Sequence, residues 1–273
     1  MDFSNSVVLV TGVGPGLGRA CAEAFAKKNA KLIICDKNQE ALQLTQSVVE
    51  SYGVKCLALL CDVSSSQQVS EMFEKITQTF GKLDVLVNNA AITPTTEKDA
   101  KRRSIHYEYM SSPESRRSLG FTSSMSDEEW KKYWDVNVHG VFYCTREALK
   151  LMEKQCSGKI VNIASVAGMT SASVHSPHYS ATKGAVIAFT KSVAYEVAGA
   201  NIFVNAMAPG GIATIQFNEY LEQVGSEAAN RFWQSIPAGR LGTLEEYAET
   251  VLFLSGNHYL VGQVISPNGG YVI

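Results

Sequence analysis

Seven short apolar runs alternate along the chain with longer segments in which apolar residues recur at helical spacing. Strands that read as nearly continuous apolar runs are typical of a parallel sheet covered by helices on both faces. Because most connections are short, the pattern predicts an α/β fold, a doubly wound parallel sheet of about seven strands. The predicted strands are VVLV (7–10), KLIIC (31–35), CLALL (56–60), LDVLVNN (83–89), KIVNIAS (159–165), IFVNAMAPG (202–210) and a short one at 262–266.

Helix-like segments occupy most of the intervals between these strands. The predicted helices cover 17–29, 39–52, a stretch that begins at Ser65 or Ser66 as N-cap, 127–155, 179–198 and 243–254.

Two segments interrupt the alternation, 94–126 and 211–242. The first is polar and forms an unusually long connection, and the second is irregular or short-helical. Both follow predicted strand C-termini, the edge at which open α/β sheets bind ligands. We find no linker and no internal repeat, so residues 1–273 are predicted to form one domain with an insertion at 94–126 and a substrate lid at 211–242.

Composition is that of an ordinary globular protein. The 273 residues are 45% hydrophobic, and 24 basic against 26 acidic residues give a net charge of −2, which does not favour a nucleic-acid or anionic-membrane partner. No stretch approaches the roughly 20 apolar residues of a membrane span, and the N-terminus lacks the basic region of a signal peptide. Six cysteines without a CxxC motif predict reduced thiols in a cytoplasmic protein, and five histidines without HExxH-like spacing predict no metal site.

A glycine-rich loop, TGVGPGLGRA (11–20), follows the first strand and opens the first predicted helix. In that context it indicates dinucleotide binding, because glycine lets the backbone approach a pyrophosphate and the helix N-terminus supplies free N–H donors. The residues expected at the cofactor are Gly12, Gly14, Gly16, Leu17 and Gly18.

Carboxylates end the next two strands. Asp36 can accept hydrogen bonds from ribose hydroxyls and repel a 2′-phosphate, which favours NAD over NADP, although the neighbouring Lys37 could tolerate a phosphate. Asp62 and Val63 are expected beside the adenine. Capping or turn formation stays open as an alternative for both carboxylates.

Further motifs occur in the order found in one enzyme family. NNAA (88–91), Asn137 in DVNVHG, Ser165 in NIASVAG, YSATK (179–183) and PGGIAT (209–214) follow the glycine loop. Together they resemble the compact, single-domain short-chain dehydrogenases/reductases, in which TGxxxGxG and NNAG are usual, with Ala91 replacing the last glycine. The resemblance implies a Rossmann-like fold and an NAD(P)-dependent oxidoreductase that interconverts a secondary alcohol and a ketone, as a homotetramer or homodimer.

Tyr179 and Lys183 stand at positions i and i+4 of a predicted helix, so they project from one face. A nearby cation is expected to lower the pKa of a tyrosine, and Tyr179 is therefore the predicted general acid/base. The resemblance assigns Ser165 to holding the substrate oxygen, Lys183 also to the nicotinamide ribose, and Asn137 to fixing a water. Each residue alone also has a structural explanation, such as a core tyrosine or a lysine reaching solvent along a helix.

The resemblance supplies the remaining cofactor contacts. Asn89, Ala90 and Ala91 would line the floor under the ribose and nicotinamide, and Pro209, Gly210, Ile212 and Thr214 would lie at the carboxamide end. The PGG sequence is also an ordinary turn.

Substrate contacts are expected from Ser165, Met169 and Tyr179, and from aromatic residues of the lid, Phe217 and Trp233 above all, with Tyr220 and Phe232. These residues suit a carbonyl or alcohol on an apolar skeleton, with 3-oxoacyl, alicyclic and steroid-like compounds left open. The insertion, with its scattered charged residues, is predicted to be a solvated loop. The alternative is that its basic residues bind an anionic thioester substrate. Two other functions are alternatives: a catalytically silent NAD-binding regulator, and a sugar epimerase or dehydratase.

Overall fold

A seven-stranded parallel sheet forms the centre of the computed structural model, which describes residues 2–111, 113, 115–171, 173–213, 230 and 233–272. Its strand order is β3-β2-β1-β4-β5-β6-β7, which confirms the predicted fold class. The strands are β1 Val7–Thr11, β2 Lys31–Asp36, β3 Cys56–Leu60, β4 Val85–Asn88, β5 Gly158–Ile163, β6 Ile202–Met207 and β7 Val264–Ile265.

Helices connect successive strands. Those described are α1 Leu17–Ala26, α2 Gln39–Glu50, α3 Ser66–Phe80, α4 Glu97–Ser111, α5 Asp127–Trp134, α6 Gly140–Gln155, α7 Pro177–Val197 and α8 Leu244–Gly256. Within the described residues, none is long and apolar enough to span a bilayer.

The two sheet faces follow from the two-residue period of the strands. In β1, Val8 and Val10 pack in a core cluster with α1, α2 and α8, whereas Val7 and Leu9 pack in a second cluster with α3, α6 and α7. Both faces are therefore buried, which is why the strands read as continuous apolar runs.

The strand order reverses at β1, which pairs with β2 on one side and with β4 on the other. Beyond the carboxyl ends of β1 and β4 there is consequently a crevice where no connection crosses, the usual ligand site of such sheets. The residues that follow these two strands are the glycine-rich loop and the NNAA segment.

The insertion differs from the sequence prediction, because residues 97–111 form helix α4 and not a solvated loop. Its apolar residues form no continuous stripe, so helical periodicity is weak. Instead, α4 buries polar residues, with Asp99 1% and Arg102 5% exposed. The helix is thus positioned by polar and ionic contacts, which a hydrophobic pattern does not reveal.

The predicted helix over 127–155 is interrupted by one π-helical turn, Asp135–His139, between α5 and α6. Immediately after it, Gly140 approaches Val63 so closely that an added Cβ would lie 2.8 Å from a Val63 methyl carbon. The extra residue of a π-turn frees backbone groups and is frequent at functional sites.

Candidate active site

Close packing of backbone explains the glycines of the loop after β1. Gly12 has a φ of 69°, and a Cβ there would lie 2.6 Å from the Ala90 Cα. Gly18 is buried, and its Cβ would lie 2.0 Å from the Gly12 carbonyl oxygen. The first turn of α1 is therefore pressed against both the loop and the NNAA segment, a geometry in which the N-terminus of α1 could face an anion such as a pyrophosphate.

Hydrogen bonds fasten the same two segments. The Asn89 side-chain amide donates to the carbonyls of Gly12, at 2.7 Å, and Thr11, at 3.1 Å. The Thr11 hydroxyl accepts from the backbone N–H groups of Asn89 and Ala90, both at 3.1 Å. The structure thus brings Asn89 and Ala90 under the glycine loop. Sequence analysis did not single out Thr11, although it is the first residue of the loop motif.

Asp36 lies at the other side of the loop. One carboxylate oxygen accepts from the Gly14 N–H at 3.0 Å and the other from the Asn38 N–H at 2.9 Å. A cavity of about 100 Å³ lies beside it, bounded also by Asp62 and Val63. The residues predicted for the adenosine end are therefore neighbours. The cavity is lined by Gly12, Asp36, Lys37, Cys61, Asp62, Val63, Ala90, Ala91, Ile92 and Val136.

Asp62 also has the turn role that sequence analysis left open. One carboxylate oxygen accepts from the Ser64 N–H at 3.0 Å and from the Ser64 hydroxyl at 2.6 Å. Burial opposes its ionisation, but these hydrogen bonds and the Lys37 charge outweigh burial and hold the pKa of Asp62 below its usual value. Asp62 is thus a charged wall of the cavity.

Tyr179 and Ser165 meet at the carboxyl end of β5. Ser165 follows the strand, Tyr179 is in the first turn of α7, and the Ser165 hydroxyl is near enough to the phenol to lower the pKa of Tyr179. Lys183 is 3% exposed, its ammonium 5.8 Å from the centre of the Tyr179 ring. The three predicted side chains are therefore neighbours at the carboxyl end of β5.

The pKa of Tyr179 differs from the sequence prediction. Burial raises the pKa of this half-buried phenol above its usual value, although the nearby Ser165 hydroxyl opposes that effect. The predicted lowering is wrong for the protein alone, because the Lys183 ammonium donates to the Ile163 carbonyl at 2.7 Å and is not directed at the phenol. Burial lowers the pKa of Lys183 to about 8.

Asn137, in the π-turn, is completely buried. Its side-chain oxygen accepts from the Ile92 N–H at 2.7 Å, and its amide donates to the Ile92 carbonyl at 3.0 Å and to the Thr182 hydroxyl at 3.1 Å. Asn137 thereby ties the segment after β4 to the helix that bears Tyr179. Its predicted contact with a catalytic water stays a prediction. Thr182, inside the YSATK motif, was missed by sequence analysis.

A second buried network lies beneath the site. Asn88 donates to the Asn162 side chain at 2.8 Å and to the Thr145 hydroxyl at 3.1 Å, and Asn162 donates to the Thr190 hydroxyl at 2.9 Å. Buried amides that are satisfied in this way fix the positions of the ends of β4 and β5 relative to α6 and α7. In the sequence, the only indication of this network is that single polar residues, Asn88 and Asn162, interrupt apolar strands.

The structure describes part of the segment that is predicted to contact the nicotinamide carboxamide. The Pro209 carbonyl accepts from the Val166 N–H at 3.1 Å, and a Cβ on Gly210 would lie 2.8 Å from the Asn268 Cα. Ile212 pairs with Gly242 in an isolated bridge. Thr214, Phe217, Tyr220 and Phe232 lie outside the described residues.

Two predicted wall residues of the substrate site are described. Met169, after the 3₁₀ turn that follows Ser165, is 44% exposed. Trp233 packs against a small apolar cluster formed by Ile236 and Leu241. Met169 is thus exposed and Trp233 is packed among apolar neighbours, and the substrate contacts predicted for both stay predictions.

Comparison with known proteins agrees with this geometry. A family model described as "short chain dehydrogenase" matches residues 6–224. The 3-oxoacyl-[acyl-carrier-protein] reductase FabG of Thermotoga maritima is 36% identical and matches over 100% of both chains. The solved structure of ElxO with NADP bound is similar at a TM-score of 0.82, with 31% sequence identity over 97% of this chain and 98% of the other. The structure of NAD⁺-bound xylitol dehydrogenase is similar at a TM-score of 0.83, with 28% sequence identity over 99% of this chain and 100% of the other.

Proposed function

Because the chain belongs to the short-chain dehydrogenase/reductase family and is therefore an oxidoreductase of hydroxyl and carbonyl groups, we propose that it interconverts a ketone and a secondary alcohol with NAD. Tyr179 is the proposed general acid/base. One arrangement supports this assignment above the others: the Ser165 hydroxyl is near enough to the Tyr179 phenol to lower its pKa, while the Lys183 ammonium is 5.8 Å from the centre of the Tyr179 ring.

The side chains divide the work during reduction. The Ser165 hydroxyl holds the ketone oxygen, and the Tyr179 hydroxyl donates its proton to that oxygen. Since burial raises the pKa of Tyr179, the phenol is protonated at neutral pH and ready to act as an acid. The Lys183 ammonium then stabilises the phenolate that remains. A bound nicotinamide supplies or accepts the hydride.

The residues present fit a dinucleotide. Glycine is required at 12 and 18 by the close approach of backbone, and the N-terminus of α1 faces the loop as a pyrophosphate site would require. Asp36 is placed beside the Gly14 N–H, where its carboxylate can accept from adenosine ribose hydroxyls. A negative charge at this point supports NAD over NADP. Similar structures hold either cofactor, so the preference needs a direct test.

Asp36→Ala is expected to weaken NAD⁺ binding and to strengthen NADP⁺ binding, and so to change the ratio of the two Kd values by at least tenfold. The reason is that the substitution removes the ribose acceptor and the repulsion of a 2′-phosphate together. Fluorescence titration of the protein with each cofactor measures the ratio. Asp62→Asn is the control, because it removes a charge from the same cavity and should leave the ratio unchanged. Wild-type protein that prefers NADP⁺ would refute the role of Asp36.

A pH dependence follows from Lys183. Because its pKa is lowered to about 8, kcat/KM for ketone reduction should be level below pH ~7 and fall about tenfold per unit above pH ~8. The ammonium is present below that pKa and lost above it, and the raised pKa of Tyr179 keeps the phenol protonated over this range. Lys191→Met, an exposed lysine on the same helix, should keep the profile. A level profile up to pH ~10 would show that the Lys183 charge is not needed.

For the substrate we propose a 3-oxoacyl thioester, since relatives named 3-oxoacyl-[acyl-carrier-protein] reductase match over nearly the full length. Loss of NADH absorbance with acetoacetyl-CoA, compared with cyclic diketones and steroid ketones, tests this class. Activity confined to a cyclic ketone would replace it. Cofactor binding without turnover on any of them would favour a catalytically silent regulator.

The proposed form is a cytoplasmic homotetramer, with a homodimer next. The six cysteines are free, and all but Cys156 are at least partly buried, which supports a reducing compartment. Light scattering on the purified protein gives the number of subunits.

A further inference from the structure

Three potential metal ligands that the proposed reaction does not use meet beneath the insertion helix. They are Asp99 on α4, Glu129 on α5 and His178 in the first turn of α7. One ligand atom from each lies within 4.8 Å of the other two. Asp99 is 1% exposed and His178 is 0% exposed, so water reaches neither side chain freely.

Unsatisfied atoms mark the centre of this cluster. The Asp99 Oδ2 accepts from the N–H and the hydroxyl of Thr96, but its Oδ1 has no hydrogen-bond partner among the described residues. Neither ring nitrogen of His178 has such a partner there, and Nε2 lies 3.7 Å from Oε1 of Glu129. Burying a carboxylate oxygen and an imidazole without partners is unfavourable, and the arrangement therefore calls for a ligand between them.

The charges around the cluster permit a cation. Lys98 and Arg102 both form ion pairs with Glu129, whereas the Asp99 carboxylate is hydrogen-bonded only to Thr96 among the described residues. The Lys98 side chain is 54% exposed and can move into solvent when another cation approaches Glu129. Burial lowers the pKa of His178 against the opposing effect of Glu129 and Asp99, and the neutral imidazole is the form that binds a metal.

We propose that Asp99, Glu129 and His178 bind a divalent transition metal of the zinc type. One imidazole and two carboxylates suit Zn²⁺, whereas Mg²⁺ prefers oxygen ligands only. The ring of Tyr133 contacts His178 edge-on, with centroids 4.0 Å apart, and helps to fix the imidazole. The ion would hold α4 and α5 against the first turn of α7, next to Tyr179. The sequence predicted no metal site, because its ligands come from three separate segments.

Calorimetric titration of the full-length, chelator-treated protein tests the site. ZnCl₂ should bind saturably with one ion per chain and raise the thermal midpoint, whereas MgCl₂ should do neither. Asp99→Asn and His178→Gln should each weaken Zn²⁺ binding at least tenfold. Asp135→Asn is the matched control: Asp135 and His139 form an exposed pair at 3.2 Å, and losing it should leave the affinity unchanged.

Two results would overturn the proposal: the absence of saturable Zn²⁺ binding to the wild type, or wild-type affinity in both ligand variants. Titration with NAD⁺ checks that each variant is folded. If the first result comes with a His178-dependent rise in the thermal midpoint at acidic pH, the cluster binds a proton in place of a metal.

Discussion

Tyr179→Phe is expected to lower kcat for ketone reduction by about 10²- to 10⁴-fold, the usual contribution of a positioned general acid. The substitution keeps the ring in its half-buried position and removes only the hydroxyl that Ser165 contacts. Because the phenol acts on the substrate oxygen, the Kd for NADH should stay within about threefold of the wild type, as expected when only transition-state contacts are lost. Stopped-flow reduction and fluorescence titration measure the two quantities.

Tyr195→Phe supplies the matched control on the same helix. Tyr195 is 90% exposed, so the same loss of a hydroxyl should leave kcat unchanged. If Tyr179→Phe retains more than about a tenth of wild-type kcat, the hydroxyl is not the proton donor. Loss of NADH binding in that variant would instead indicate a structural role for Tyr179.

The sheet could be predicted from sequence because its strands are buried on both faces. Each therefore reads as a short apolar run, and β3 was predicted with its observed bounds. Local motifs also supplied most of the residues of the candidate site. The glycine loop and the Tyr179–Lys183 pair depend on neighbours in sequence, where spacing alone decides which residues share a turn or a helix face.

Features that depend on distant segments were not predictable in the same way. Helix α4 buries Arg102 in an ion pair with Glu129 of α5 and buries Asp99 in hydrogen bonds with Thr96, and no hydrophobic periodicity in the sequence indicates such contacts. Likewise, the pKa of Tyr179 depends on how much water the fold removes and on where Lys183 donates its hydrogen bond. Tertiary packing decides both the conformation of residues 97–111 and the pKa of Tyr179, and the sequence predictions for these two features were wrong.

Gly18→Ala is expected to lower the free energy of unfolding by about 3 kcal/mol, the upper end for overpacking a core. The added methyl would lie 2.0 Å from the Gly12 carbonyl oxygen and 2.5 Å from the Asn89 side-chain amide. The first of these atoms is backbone, so relief requires moving the loop or α1. Because Asn89 fastens the loop to the end of β4, NAD⁺ binding should fall at least tenfold as well. Urea unfolding and cofactor titration give the two values.

Gly14→Ala in the same loop is the control that distinguishes the effect of steric overlap from the effect of replacing a glycine. At Gly14 the nearest atom to an added Cβ is an Asp36 carboxylate oxygen at 3.9 Å, and the backbone N–H that this oxygen accepts from is retained. The free energy of unfolding should therefore stay within about 0.5 kcal/mol of the wild type. If Gly18→Ala were as stable as Gly14→Ala, the first turn of α1 could not be pressed against the loop, and the proposed pyrophosphate site at its N-terminus would lose its structural basis.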